Sequence, residues 1–170
     1  MNNNTILNNI LRFVFLILLQ ILVLNNVYLG QYVTPYIYIM FILMLPVDTN
    51  KILLIFLSFL AGLTIDIFSN TLGFHTFAAT LIGFLRVTFA DKILAHNDNS
   101  IGTPSIHNVP FAQFSYFALL LIGIYNLVYF SIEAFNFKEI LNILLSTLIN
   151  TIVTYLLILL LQVIFSPKKK

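Results

Sequence analysis

The sequence predicts an all-α integral membrane protein, a single domain over residues 1–170 built as a bundle of six transmembrane helices. Three observations carry that prediction. Charged residues make up only 8% of the chain, against about 25% in soluble domains, so polar groups are too few to cover a globular surface. Hydrophobic residues make up 60%, and the mean hydropathy is +1.00. The apolar residues also fall into six runs, each close to the length that crosses about 30 Å of hydrocarbon. Cysteine is absent, which excludes disulfides and thiolate chemistry. A net charge of +2 is too small to suggest a nucleic-acid partner.

The first run spans about 10–24, is opened by Arg12 and contains Gln20. It reads as a retained helix and not a signal peptide, because Arg12 is its sole basic residue and no small-x-small cleavage site follows. The second run, about 32–45, is short, with Pro35 near its start and Pro46 just past its end. Proline is tolerated in a first helical turn because that N–H has no intrahelical partner. Asp48 and Lys51 mark a polar connection, and the third run covers 52–68. Ser69, Asn70 and Thr71 form a brief turn before the fourth run, 72–90.

Residues 91–110 form the one long polar loop, with Asp91, Lys92, His96, Asp98, His107, Pro104 and Pro110. The fifth run, 111–130, is followed by Glu133, Lys138 and Glu139, and the sixth, 140–165, is long enough to require tilt. Orientation follows from the basic residues. With six spans, Arg12, Lys51, Arg86, Lys92 and Lys168 to Lys170 share a side, and of the eight basic residues Lys138 alone faces the other. Both termini and the 91–110 loop are therefore expected in the cytoplasm. The terminal lysines also suit an anionic membrane surface.

Asp66 draws attention because an ionisable group inside hydrocarbon is costly and is kept for a partner or a task. The topology places it near the outer end of the third helix, with His75 opening the next helix across a tight turn. The two are close enough in sequence to pair. Asp66 either braces the turn through Ser69 or Thr71, docks a partner, or handles a proton or ligand. Ser58, Gly62 and Asp66 share one helical face, and Thr76, Ala79, Thr80 and Gly83 form a second small-residue stripe, which allows close helix approach. Asn142, Ser146, Asn150 and Thr154 follow at i+4 steps on the sixth helix, a pattern typical of interhelical contact. Glu133 is interfacial. No metal cluster, phosphate loop or nucleophile–base set is legible, so neither a cofactor nor a catalytic residue is expected.

Pro35 after the first helix, then Gly62-Leu63-Thr64-Ile65-Asp66, then Leu72-Gly73-Phe74-His75, together resemble the rod shape-determining protein MreD family, which carries G-L-x-x-D followed by L-G-x-H. Pro104 to His107 and Tyr125 to Phe135 also look like some members, so the resemblance covers most of the chain. It implies a non-enzymatic inner-membrane subunit of the cell-elongation complex. Such a subunit binds an MreC-like bitopic partner and links MreB-like filaments to peptidoglycan synthases within the lipid membrane. It also implies a fold similar to the six-helix substrate-binding subunits of energy-coupling-factor vitamin transporters. The candidate residues for partner binding or helix packing are Gly62, Asp66, Gly73, His75, Gly83 and Glu133. A vitamin-capturing transporter subunit is the alternative, but its A-x-x-x-A docking motif on the first helix is missing, since no alanine precedes Ala61.

Overall fold

The computed structural model describes residues 3–26, 33–94, 102–135 and 139–165. Among these residues all regular structure is helical: α1 (Asn3–Leu22), α2 (Ile39–Leu43), α3 (Lys51–Ser69), α4 (Phe74–Ile93), α5 (Phe111–Ala134) and α6 (Ile140–Phe165), with a 3-10 turn at Leu24–Asn26. The boundaries have local causes. Asn50 caps α3 by accepting the Ile52 N–H at 2.9 Å. At the far end Asn70 takes a left-handed φ of 54° and closes α3 onto the Asp66 carbonyl. Pro110 precedes α5, where its missing N–H costs no helical bond.

Four helical stretches are long and apolar enough to cross a membrane: Leu7–Asn26, Lys51–Ser69, Phe111–Ala134 and Ile140–Ile164. Large apolar side chains such as Ile52, Phe56, Leu141, Leu148 and Val163 stand on the outer surface of the bundle. That arrangement suits lipid and not water, and the chain is a membrane protein. α3 and α4 form an antiparallel hairpin, and α4, α5 and α6 pack in succession.

One of the six expected spans is corrected, and another is a helix of lower hydropathy. The run 32–45 is not a spanning helix. Residues 33–36 carry no helix, and α2 contains only five residues. All of residues 35–46 are buried, and this is the physical reason. Hydropathy registers a preference for an apolar environment but does not distinguish lipid from protein. Irregular backbone is tolerated at membrane depth where protein surrounds it and supplies the missing hydrogen bonds. The run 72–90 does form a helix, but α4 carries His75, Arg86, Asp91 and Lys92 and is not among the four apolar enough to span.

The buried segment nevertheless runs alongside about two turns of α1. Near its start Pro35 and Ile37 bond Gln20, late in α1, at 3.1 and 2.9 Å. At its end Met44 O accepts from Arg12, midway along α1, at 3.2 Å. It therefore runs back along α1 and delivers the chain to the start of α3. From there Val47 N–H reaches Gly102 O at 2.9 Å, and Ile106 N–H reaches Gln162 near the end of α6 at 2.9 Å. The starts of α1, α3 and α5 and the ends of α4 and α6 thus share one end of the bundle. The terminal lysines, Lys138, and residues 95–101 of the polar loop lie outside the described residues.

Candidate functional site

The site grows from the α3–α4 hairpin. Gly62 lies so close to α4 that a Cβ built there would stand 2.6 Å from both His75 O and Thr76 Cα, which are backbone atoms. One turn later the Asp66 side chain, 4% exposed, reaches across the turn. Its Oδ1 accepts the His75 N–H at 3.1 Å and the Thr71 hydroxyl, and its Oδ2 accepts the Thr76 N–H at 2.7 Å and the Thr76 hydroxyl. These backbone donors belong to the first turn of α4, where no helical carbonyl is available to them. Gly73, at φ 92°, supplies the left-handed step that aims them at Asp66. Asp66 is therefore an anionic cap delivered by the preceding helix, at the helix end where negative charge is favoured. Ser69 has a different task, its hydroxyl accepting Asn25 Nδ2 of the turn after α1 at 2.9 Å.

Asp66 and His75 meet through the His75 backbone, while the imidazole turns into the bundle. Its Nδ1 lies 2.5 Å from Tyr125 Oη and 3.4 Å from Tyr38 Oη, and the two phenols are 2.6 Å apart. Tyr36 packs edge-on to the imidazole with centroids 4.9 Å apart, and Tyr129 lies against it at 4.5 Å. Tyr36, Tyr38, His75, Tyr125 and Tyr129 form one buried cluster drawn from the irregular segment, α4 and α5. Tyr129 in turn donates to Glu133 Oε1 at 3.3 Å. Glu133 borders a cleft of about 420 Å³ between the end of α5, the start of α6 and the irregular segment.

Of the six candidates, Gly62, Asp66, Gly73 and His75 form one unit, and Glu133 joins it through Tyr129. Gly83 stands apart, two turns along α4, where an added Cβ would meet the Ser58 side chain of α3. The sequence reading did not single out Tyr36, Tyr38, Tyr125 and Tyr129 as a cluster. It reads Asn150 and Thr154 as interhelical contacts and gives Gln20 and Arg86 no partner, whereas all four serve the irregular segment. Thr34 N–H bonds Asn150 Oδ1 at 2.6 Å, Tyr36 N–H bonds Thr154 Oγ1 at 3.2 Å, and Gln20 clamps Pro35 O and Ile37 N–H. Arg86, 1% exposed, donates to Leu43 O at 3.4 Å and to Leu45 O, at the end of α2. The available signal was the expense of these groups. An arginine, a glutamine and an asparagine inside apolar runs each need an internal partner.

Chemically, the arrangement holds shape. The carboxylate of Asp66 is consumed by four donors, and the imidazole of His75 is enclosed among phenols. Comparison of the chain with family models, with curated proteins and with solved structures finds no match.

Proposed function

We propose that this chain is an MreD-like, non-enzymatic inner-membrane subunit of the rod shape-determining complex, with both termini in the cytoplasm. It binds an MreC-like bitopic protein and through it joins MreB-like filaments to peptidoglycan synthesis. One observation supports the reading most. The residues that carry the family resemblance are not scattered through the fold but depend on one another. Gly62 lets α3 and α4 touch, Asp66 caps α4, Gly73 sets the turn, and His75 closes the bundle behind it. A motif kept for a rigid hairpin tip suits a scaffold. Asp66 has no acceptor capacity facing outward, so in this reading it acts indirectly. It fixes the tip from which Phe68 and Leu72, 63% and 90% exposed, project.

The test is purification of the tagged full-length chain in mild detergent, with identification of what comes with it. Recovery of an elongation-complex subunit supports the proposal. Recovery of a transporter ATPase module in its place would establish the vitamin-transporter alternative.

A further inference from the structure

The cleft beside Glu133 has no task in a scaffold, and its chemistry selects a ligand. Its volume of about 420 Å³ falls within the range of about 300–1,000 Å³ typical of small-molecule sites and is too large for a bare ion. Two carboxylates, Glu133 and Glu139, border it, and no basic residue is among its described lining. Thr34, Asn142 and Ser146 add neutral hydrogen-bonding groups at its walls. The inner wall is aromatic. Tyr36 and Tyr129 have centroids 4.9 Å apart at 54°, and Phe130 meets Tyr129 at 5.3 Å and 85°.

These features separate the ligand classes. An anion is disfavoured by the two carboxylates, with no cation among the described lining residues. A metal ion needs several ligands within about 2–2.6 Å of one point, and among the described residues no three His, Cys, Asp or Glu side chains gather in that way. A neutral apolar molecule would bury the carboxylates without compensation, which is costly. A cation with an organic shell satisfies both walls, because its charge meets the carboxylates and its methylene or methyl groups meet the ring faces. We propose that this cleft binds an alkylammonium group, a primary or quaternary amine carried either by a lipid headgroup or by a small free solute.

The floor is suited to that role by its rigidity. Tyr36 is fixed on both sides, its own N–H held by Thr154 and its neighbours Pro35 and Ile37 held by Gln20. Tyr129 is braced from behind by the His75 ring. A preformed site loses little conformational freedom on binding.

The experiment uses the full-length protein in detergent, titrated calorimetrically with choline, with ethanolamine, and with 3,3-dimethylbutanol, the uncharged isostere of choline. The double variant Glu133→Gln and Glu139→Gln is the control, since both side chains are exposed and the changes keep shape while removing charge. In parallel, the protein is reconstituted in vesicles of mixed phosphatidylethanolamine and phosphatidylglycerol, and retained lipid is identified by native mass spectrometry. Saturable binding of a free amine, about tenfold or more tighter than the isostere and weakened at least as much in the double variant, supports the proposal with a free solute as source. Selective retention of phosphatidylethanolamine, lost in the double variant, supports it with lipid as source. Equal binding of choline and its isostere, amine binding or lipid retention unchanged in the double variant, or no binding of either amine with no preference for phosphatidylethanolamine would overturn it. None of these outcomes depends on which proteins co-purify with the chain, so the scaffold reading stands or falls separately.

Discussion

Asp66→Asn is the most informative single substitution, because the structure shows that the amide is not an innocent replacement. The carboxylate accepts from four donors, two at each oxygen: Thr71 Oγ1 and His75 N–H at Oδ1, Thr76 N–H and Thr76 Oγ1 at Oδ2. An asparagine has one acceptor oxygen, and either amide orientation turns an NH₂ toward a backbone N–H. The threonine hydroxyl on that side can rotate and accept, but the backbone N–H cannot. One buried donor is left unsatisfied, which costs about 1–3 kcal/mol. Loss of the negative charge from the first turn of α4 adds about 0.3–1 kcal/mol. The expected destabilisation is about 2 kcal/mol, and Asp66→Ala, which removes both acceptor oxygens and strands all four donors, should exceed it. Equilibrium unfolding in mixed detergent and SDS, followed by far-UV circular dichroism, measures both variants. An asparagine variant within about 0.5 kcal/mol of wild type, the scatter of neutral surface changes, would refute the capping argument. In that case the charge would need another role.

Four further predictions follow from separate parts of the fold. Gly62→Ala places a methyl 2.6 Å from α4 backbone, so the hairpin must part, at about 1–3 kcal/mol; wild-type unfolding would remove the close-packing argument. Gly83→Ala meets a side chain, Ser58, so combining it with Ser58→Gly should recover part of its loss, whereas no recovery would show that the contact is not local. Arg86→Met strands the carbonyls of Leu43 and Leu45 and should cost about 2 kcal/mol, with Arg86→Lys restoring only part because an ammonium lacks the planar fork that reaches two carbonyls; a fully stable methionine variant would mean those carbonyls find other donors. In the cysteine-free chain, Asn70→Cys and Lys92→Cys should label from opposite sides of the membrane with an impermeant thiol reagent, and labelling of both from one side would overturn the antiparallel hairpin as a membrane-crossing unit.

Much of the helical frame was readable because hydrocarbon imposes length and polar residues impose ends. The expected 52–68, 111–130 and 140–165 agree with α3, α5 and α6 to within a few residues. The 32–45 run failed for a reason inherent in hydropathy. An apolar stretch enclosed by protein and one facing lipid have the same composition, and only their hydrogen-bond partners differ. Those partners lie far away in sequence, Asn150 for Thr34 and Thr154 for Tyr36. The bracing of the turn by Thr71 was among the readings open to Asp66. The two backbone N–H groups of α4 were not, because they become visible only once the hairpin angle is known. The cleft was illegible for the same reason. Glu133 read as an interfacial, solvated group, and nothing local joins Tyr129 to Tyr36.

The irregular segment explains why the bundle accepts so many expensive polar residues. Lipid provides no hydrophobic drive between helices, so association depends on close packing and on hydrogen bonds. Here the bonds converge on one strand of backbone: Gln20 and Arg12 from α1, Arg86 from α4, Asn150 and Thr154 from α6. Each side chain raises the cost of inserting its own helix, and each is satisfied only when the segment lies in place. The groups that oppose insertion are thus the ones that specify assembly. A regular helix would have satisfied its own backbone and left them unpartnered. It would also have set Tyr36 and Tyr38 about 200° apart around its axis. With the backbone non-helical through Tyr36 and turning at Ile37 and Tyr38, both residues reach one partner, their ring centroids 4.9 and 6.0 Å from that of His75. The departure from helix is therefore what builds the aromatic wall behind the cleft, and the polar residues of three helices are what hold that departure open.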